Sequence, residues 1–352
     1  MRILGIESSC DETGAAVVED GTYMLSSSVA SSMSLHAQYG GVVPEIAARM
    51  QLEVIIPTID NALKQAACQW QDIDAIAVTV GAGLGSSLLI GVMTARTLAI
   101  TQNKPLIACN HVLGHVYANF ISGTSLPDYL MPQQAPEFPL LAVILSGGHS
   151  QLVLFEDHFN YRILGRTQDD AIGEAFDKVA KLLGLPYPGG PSISAFALKG
   201  DALRFKLPKA KMGKYDFSFS GLKTAVLRLA QDQAGVSYDF PSFQLSERLS
   251  EAQKADIAAS FQHVAIETVV DKVLLAVEQY SPKSVVLAGG VAANTLLRQS
   301  MHQKLSLPIN VPDLKLCTDN GAMIAALGGW QLRYQKGLAD PYSLTISPNL
   351  SM

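Results

Sequence analysis

Two layouts recur, once in each half of the chain, and together they restrict the fold more than any single motif does. In the first, Arg2–Glu7 reads as a strand, runs into a polar turn at 8–14 (Ser-Ser-Cys-Asp-Glu-Thr-Gly) and continues into a second apolar strand. The same order of strand, turn and strand returns at Leu140–Leu145, the turn Ser146-Gly147-Gly148-His149-Ser150, and 151–155. In the second layout, 73–80 leads through Gly81-Ala82-Gly83-Leu84-Gly85 into a helical run, and Ser284–Ala288 leads through Gly289-Gly290-Val291-Ala292-Ala293-Asn294 into another. A glycine loop that opens a helix aims backbone N–H groups at a phosphate or nucleotide. The two copies predict a duplicated α/β fold, two lobes with a central nucleotide cleft. Prolines 127, 132, 136 and 139 place the divide in the 125–139 stretch. The expected lobes are 1–125 and 139–352, the second carrying an irregular basic insert near 184–223. Helices are expected at 43–64, 85–101, 171–183, 246–280 and 320–336.

Composition narrows the class. Of 352 residues, 48% are hydrophobic and only 16% charged, against a typical charged share of about 25%, so intrinsic disorder is excluded. The mean hydropathy of +0.21 raises a membrane question. The long apolar run between Asp74 and Arg96 is broken by Gly81, Gly83, Gly85 and Gly91, unlike a spanning helix of about 20 apolar residues. The N-terminus turns acidic before a signal-peptide core can form. Four cysteines without a CxxC pair fit a reducing compartment, and a cytoplasmic protein is expected. The net charge of −5 means that any nucleic acid must be held by a local basic patch or a helper protein. Lys199, Arg204, Lys206, Lys209, Lys211, Lys214 and Lys223 supply one candidate patch; a solvated loop is the alternative.

Several side chains carry candidate chemistry. His111 and His115, at i and i+4, share one helical face and can reach one divalent ion, or are two unrelated surface histidines. Val112 stands where a zinc protease of the HExxH kind needs its glutamate base, so the pair reads as a metal site without that protease's catalytic base. Asp319, in Thr318-Asp319-Asn320-Gly321, is either a helix cap or the third ligand. The glycine pairs at 147–148, 189–190 and 289–290 match neither GxGxxG nor GxxxxGK[ST]. They point to the β-turn-β phosphate loops of the actin, Hsp70 and sugar-kinase architecture. Asp170, Glu174 and Asp177 share a face by spacing, as a solvated surface or as acids lining a ribose or metal site, with Lys178 able to pair with Glu174.

Taken together, the segments GIESSCDET (5–13), GGVVPE (40–45), His111-x-x-x-His115, LSGGH (145–149), GEAFDK (173–178), YPGGP (187–191), DFSFSGLK (216–223) and CTDNG (317–321) resemble the TsaD family along nearly the whole chain. The resemblance implies the actin-like ATPase (ASKHA, RNase H-like) fold. It implies an acyltransferase that moves a threonylcarbamoyl group from threonylcarbamoyl-AMP to N6 of adenosine 37 in tRNAs reading ANN codons, the t6A modification. It implies one Fe²⁺ or Zn²⁺ held by His111, His115 and Asp319, and nucleotide-substrate contacts from Ile144, Leu145, Ser146, Gly147, Gly148, Asp177, Gly190 and Asn294. The implied partners are tRNA, a TsaB-like paralogue and a TsaE-like ATPase. Two positions depart from the family pattern: Ala82 stands where Pro is usual, and Ser194 where some members carry Asp. Asp11, Glu12 and His149, on the β-turn-β loops, are the candidates for handling the amine proton, and Lys206, Lys209 and Lys211 for touching tRNA. A small-molecule kinase or ATPase of the same fold, or a nucleotide-binding scaffold, are the competing functions.

Overall fold

The computed structural model describes residues 1–132 and 134–352, so one residue of the proline-rich 125–139 stretch lies outside the described residues. The chain divides into two compact units, Met1–Pro136 with Asn310–Met352, and Glu137–Ile309. The first unit begins with strands β1 (Arg2–Glu7), β2 (Glu12–Glu19), β3 (Tyr23–Met24) and β4 (Ser28–Ser31), then helices α1 (Met33–Ala37) and α2 (Pro44–Gln65). It continues with β5 (Ala75–Gly81), α3 (Gly85–Thr101), β6 (Leu106–Asn110), α4 (His111–Tyr117) and β7 (Gly123–Thr124). The second unit contains β8 (Leu140–Leu145), β9 (Ser150–Asp157), β10 (Asn160–Arg166), α5 (Ile172–Leu182), α6 (Gly189–Ala197), α7 (Ser220–Ala234) and α8 (Glu251–Tyr280). It ends with β11 (Ser284–Ala288), α9 (Thr295–Lys304) and β12 (Ile309–Asn310). The chain then adds α10 (Leu314–Cys317), α11 (Gly321–Arg333) and β13 (Leu338–Ala339) to the first unit.

The expected duplication is visible in strand pairing. In the first sheet β1 pairs antiparallel with β2 and parallel with β5, and in the second β8 pairs antiparallel with β9 and parallel with β11. The sheet orders are β13-β6-β5-β1-β2-β3-β7, with β4 also on β2, and β10-β9-β8-β11-β12. The central strands are apolar throughout because helices cover both faces. In β1, Leu4 and Ile6 join Ile55 and Ile59 of α2 and Val92 and Ala95 of α3 in one core cluster. The opposite face meets α11: a Cβ on Gly5 would lie 2.3 Å from the Ala325 nitrogen, so glycine alone permits this close approach.

That approach corrects the expected lobe boundary. Residues 310–352 do not stay with 139–309, because α11 buries its apolar turns against β1 and β2, and strand neighbours so distant in sequence leave no local signal. The insert near 184–223 is also more regular than expected, holding all of α6 and the start of α7. The helix expected from 246 starts at Glu251, where Ser250 and Gln253 form a capping box. Among the described residues no helix is long and apolar enough to cross a membrane.

Candidate functional site

In the first unit the sequence candidates for metal binding come together. Asn110 caps α4 by accepting from the Leu113 N–H at 3.0 Å, which starts the helix at His111 and puts His115 one turn on. The Nε2 atoms of His111 and His115 lie 3.5 and 3.2 Å from Asp319 Oδ1. Ligand atoms that each sit about 2.1 Å from one ion stand roughly 3.0–3.4 Å apart; the two His–Asp separations are close to that spacing, and the three ligand atoms all lie within 4.8 Å of one another. The helix-cap alternative for Asp319 is taken by its neighbour: Asn320 Oδ1 accepts from the Met323 N–H at 2.9 Å, leaving the Asp319 carboxylate turned to the two imidazoles.

A second layer orients the ligands. Glu7 is fully buried; one oxygen accepts from the Ser9 N–H at 2.5 Å and the other from Thr79 Oγ1 at 2.5 Å. His111 Nδ1 lies 3.2 Å from Glu7 Oε2 and 3.1 Å from Ser9 Oγ. A carboxylate on Nδ1 fixes the imidazole so that Nε2 faces the ligand position. Burial pulls the His111 pKa down, but the Asp319 and Glu7 carboxylates more than reverse this and hold it at about 9. Burial, then the Asp319 and Asp11 carboxylates, push Glu12 up to about 9, and burial beside the same acids pushes the Cys10 thiol up. Acids gathered this closely disfavour the charged form of Glu12, and a divalent cation fits such a site.

The second unit carries the predicted phosphate turn. Ile144 and Leu145 are fully buried in β8, so they anchor the turn and do not present side chains to a ligand. Ser146 and His149 close it, with Ser146 N–H donating to His149 O at 2.8 Å and His149 N–H to Ser146 Oγ at 3.0 Å. Gly147 and Gly148 face open space. Gly289, at φ +86°, lies so close that a Cβ would sit 2.5 Å from Leu145 O, which explains the second glycine loop. Asp177 Oδ1 accepts from the Gly189 N–H at 2.7 Å, so this acid also fixes the start of α6, where Gly190 is open. Asn294 caps α9 through Leu297 N–H at 3.0 Å and donates to Ser194 Oγ and Gln262 Oε1 at 3.1 and 3.0 Å.

A model of the TsaD family, described as tRNA N6-adenosine threonylcarbamoyltransferase, matches residues 23–326. The chain belongs to the TsaD family. Curated tRNA N6-adenosine threonylcarbamoyltransferases resemble it end to end. That of Dehalococcoides mccartyi strain BAV1 is 45% identical over 353 residues, covering 100% of this chain and 99% of the relative. That of Thermomicrobium roseum is 46% identical over 360 residues, covering 100% and 97%. Among solved structures, full-length HypF in a phosphate- and nucleotide-bound form gives a TM-score of 0.58 at 13% identity, covering 96% of this chain and 47% of that one. The Acidaminococcus fermentans (R)-2-hydroxyglutaryl-CoA dehydratase component A gives 0.51 at 15%, covering 95% and 99%. The shared fold is the actin-like ATPase fold.

Other expectations for this TsaD-family chain fare differently. In the glycine loop at 81–85 two amides are taken within the chain: Gly83 N–H donates to Pro348 O at 3.1 Å and Leu84 N–H to Ser9 O at 2.7 Å. In the basic insert Lys206 and Lys211 are exposed, whereas Lys209 is engaged by Glu267 at 3.1 Å and Asp271 at 2.6 Å. Lys178 pairs with Glu174, as its spacing suggested, and with Asp170, each at 2.8 Å. Asp11 and Glu12 lie on the metal-side turn of the first unit, and His149 on the glycine turn of the second. Sequence reasoning gave no role to Glu7, Ser9 or Thr79. The available signal was a lone acid ending an otherwise apolar strand, since a fully buried carboxylate needs a partner.

Proposed function

We propose that the chain transfers the threonylcarbamoyl group of threonylcarbamoyl-AMP to N6 of adenosine 37 in tRNAs that read ANN codons. The observation that supports this best is the assembled trio of His111, His115 and Asp319 in a chain alignable end to end with curated threonylcarbamoyltransferases. In the reaction the N6 nitrogen attacks the carbonyl carbon, the bond from that carbon to the phosphate oxygen breaks, and AMP leaves. The donor is already activated, so the protein's work is positioning and charge stabilisation.

The turn at Gly147 and Gly148, where a Cβ would meet nothing within 4 Å, suits the AMP phosphate, with Asp177, Gly190 and Asn294 shaping the nucleoside's place; Ile144, Leu145 and Ser146 set the turn. His111, His115 and Asp319 would hold one Fe²⁺ or Zn²⁺, which when bound would supply the positive charge of a Lewis acid. Asp11, Glu12 and His149 remain the candidates for handling the amine proton, Glu12 only where a bound cation offsets the carboxylates that hold its pKa up, and Lys206 and Lys211 for touching the tRNA backbone. The partners are a TsaB-like paralogue and a TsaE-like ATPase. α2 and α3 expose Leu52, Ile56, Leu89 and Met93, two i, i+4 pairs that give such a paralogue an apolar face to cover.

Purified protein supplied with threonylcarbamoyl-AMP, unmodified tRNA and these partners should yield the modified adenosine, read by mass spectrometry of digested tRNA. Release of AMP from the donor without any modified base would overturn the reading in favour of a nucleotide-hydrolysing or scaffold function.

A further inference from the structure

The turn at 8–12 carries Ser9, which orients His111, and the carboxyls of Asp11 and Glu12, so its placement decides where all three point. Neighbours hold its carbonyls one by one. Ser9 O accepts from Leu84 N–H at 2.7 Å, and Asp11 O from Ser32 N–H at 3.2 Å and Ser32 Oγ at 2.7 Å. The carbonyls of Ser8, Cys10 and Glu12 all face one side chain, Gln51 of α2, whose Nε2 stands 3.3, 2.9 and 3.3 Å from them.

Gln51 is 1% exposed, and its Oε1 has no hydrogen-bond partner among the described residues. Flipping the amide would set that oxygen against three carbonyl oxygens, so the turn itself dictates the orientation. An unpaired buried acceptor destabilises a fold. A methionine or leucine would fill the same space without that cost. Glutamine at this place makes sense for what its NH₂ group does. A lysine there would bring a charge that pairs with the surrounding acids and competes with a cation.

We propose that Gln51 is a positioning residue for the transfer reaction, its amide gathering three carbonyls of the 8–12 turn so that Ser9, Asp11 and Glu12 keep their aim. The role in catalysis rests on the proposed transferase activity; the hold on the turn does not.

Two substitutions separate these parts: Gln51→Met removes the donors and keeps the volume, and Gln51→Glu keeps the shape but replaces the two-donor amide with a carboxyl that carries at most one donor, so one covers a folding failure of the other. In the transfer assay with partners, kcat should fall roughly 10- to 100-fold, the penalty of a small misplacement, while KM for tRNA stays within about twofold. In hydrogen exchange on the protein without substrate, amides at 8–13 should exchange about tenfold faster while those of β5 and β8 keep wild-type rates. Unchanged exchange in the turn, acceleration spread evenly over the molecule, or wild-type kcat in either folded variant would overturn the proposal. A wild-type protein that fails to transfer the group would count against the transferase reading alone, because the exchange measurement needs no substrate.

Discussion

Asp319 puts one carboxylate oxygen within reach of two imidazole Nε2 atoms, and this geometry was legible from the His111-x-x-x-His115 spacing and the polar run at 317–321. What spacing could not decide was whether Asp319 caps its helix; that depended on Asn320 taking the cap. His111→Ala, His115→Ala and Asp319→Ala should each abolish stoichiometric Fe or Zn binding measured by elemental analysis, and retention of a full equivalent would reject the site. Glu7→Gln keeps the three ligands but weakens the hold on His111 Nδ1, so metal affinity should drop about 10- to 100-fold in a competition titration with a chelator. An unchanged affinity would mean that Glu7 serves only Ser9 and Thr79.

Helices bring these residues together through contacts that tolerate no side chain. A Cβ on Gly321 would lie 2.6 Å from Ala15 Cα, and one on Gly14 2.6 Å from the Gly321 nitrogen. Gly321→Ala should therefore push the start of α11 off β2, costing roughly 1–3 kcal/mol of stability by overpacking and lowering metal occupancy with it. Chemical denaturation and elemental analysis check the two halves, and a stable variant with full occupancy would show that α11 can shift without moving Asp319. In the second unit Asp169 caps α7 from outside the helix, accepting from Ser218 Oγ, Phe219 N–H, Ser220 N–H and Ser220 Oγ. Burial raises its pKa, but these hydrogen bonds outweigh that and leave it lowered. Its stabilisation is thus fully present above the unfolded value of about 3.9 and is lost as the pH falls through the lower folded value. Asp169→Ala should cost about 0.5–2 kcal/mol at neutral pH, as loss of a cap does, and less in acid, where the wild-type carboxyl takes up its proton. An equal loss at neutral and acid pH would show that the charge contributes nothing to the hold. The helix of residues 85–101 was readable to its ends because a glycine loop precedes it and Gln102-Asn103 follow. The fate of that loop's Gly83 and Leu84 amides was not, because their partners, Pro348 and Ser9, belong to segments remote from the loop in sequence.

At the scale of the whole chain, the repeated layouts foretold the matched pairing of β2-β1-β5 and β9-β8-β11. The return of Asn310–Met352 to the first unit was hidden, since α11 reads locally like any apolar helix and only glycine-to-backbone contact names its neighbour. The net charge of −5 leaves tRNA binding to local patches, and within this patch Lys209 is tied to Glu267 and Asp271 while Lys206 and Lys211 are exposed. Reversing Lys206 and Lys211 together should weaken tRNA binding and lower the slope of log K against log salt by about 2, whereas reversing Lys209 alone, already engaged by Glu267 and Asp271, should change the slope little. Filter binding across a salt series measures both, and equal slopes in all variants would remove this segment from the interface. The central claim, that a metal held by His111, His115 and Asp319 serves threonylcarbamoyl transfer, is tested most directly by titrating metal-stripped protein with Fe²⁺ or Zn²⁺ in the presence of its partners, threonylcarbamoyl-AMP and unmodified tRNA. The account predicts that modified adenosine rises to a plateau at one equivalent of metal and that Asp319→Ala shows no such rise. Full modification by the metal-free protein, or an equal yield from Asp319→Ala, would contradict it.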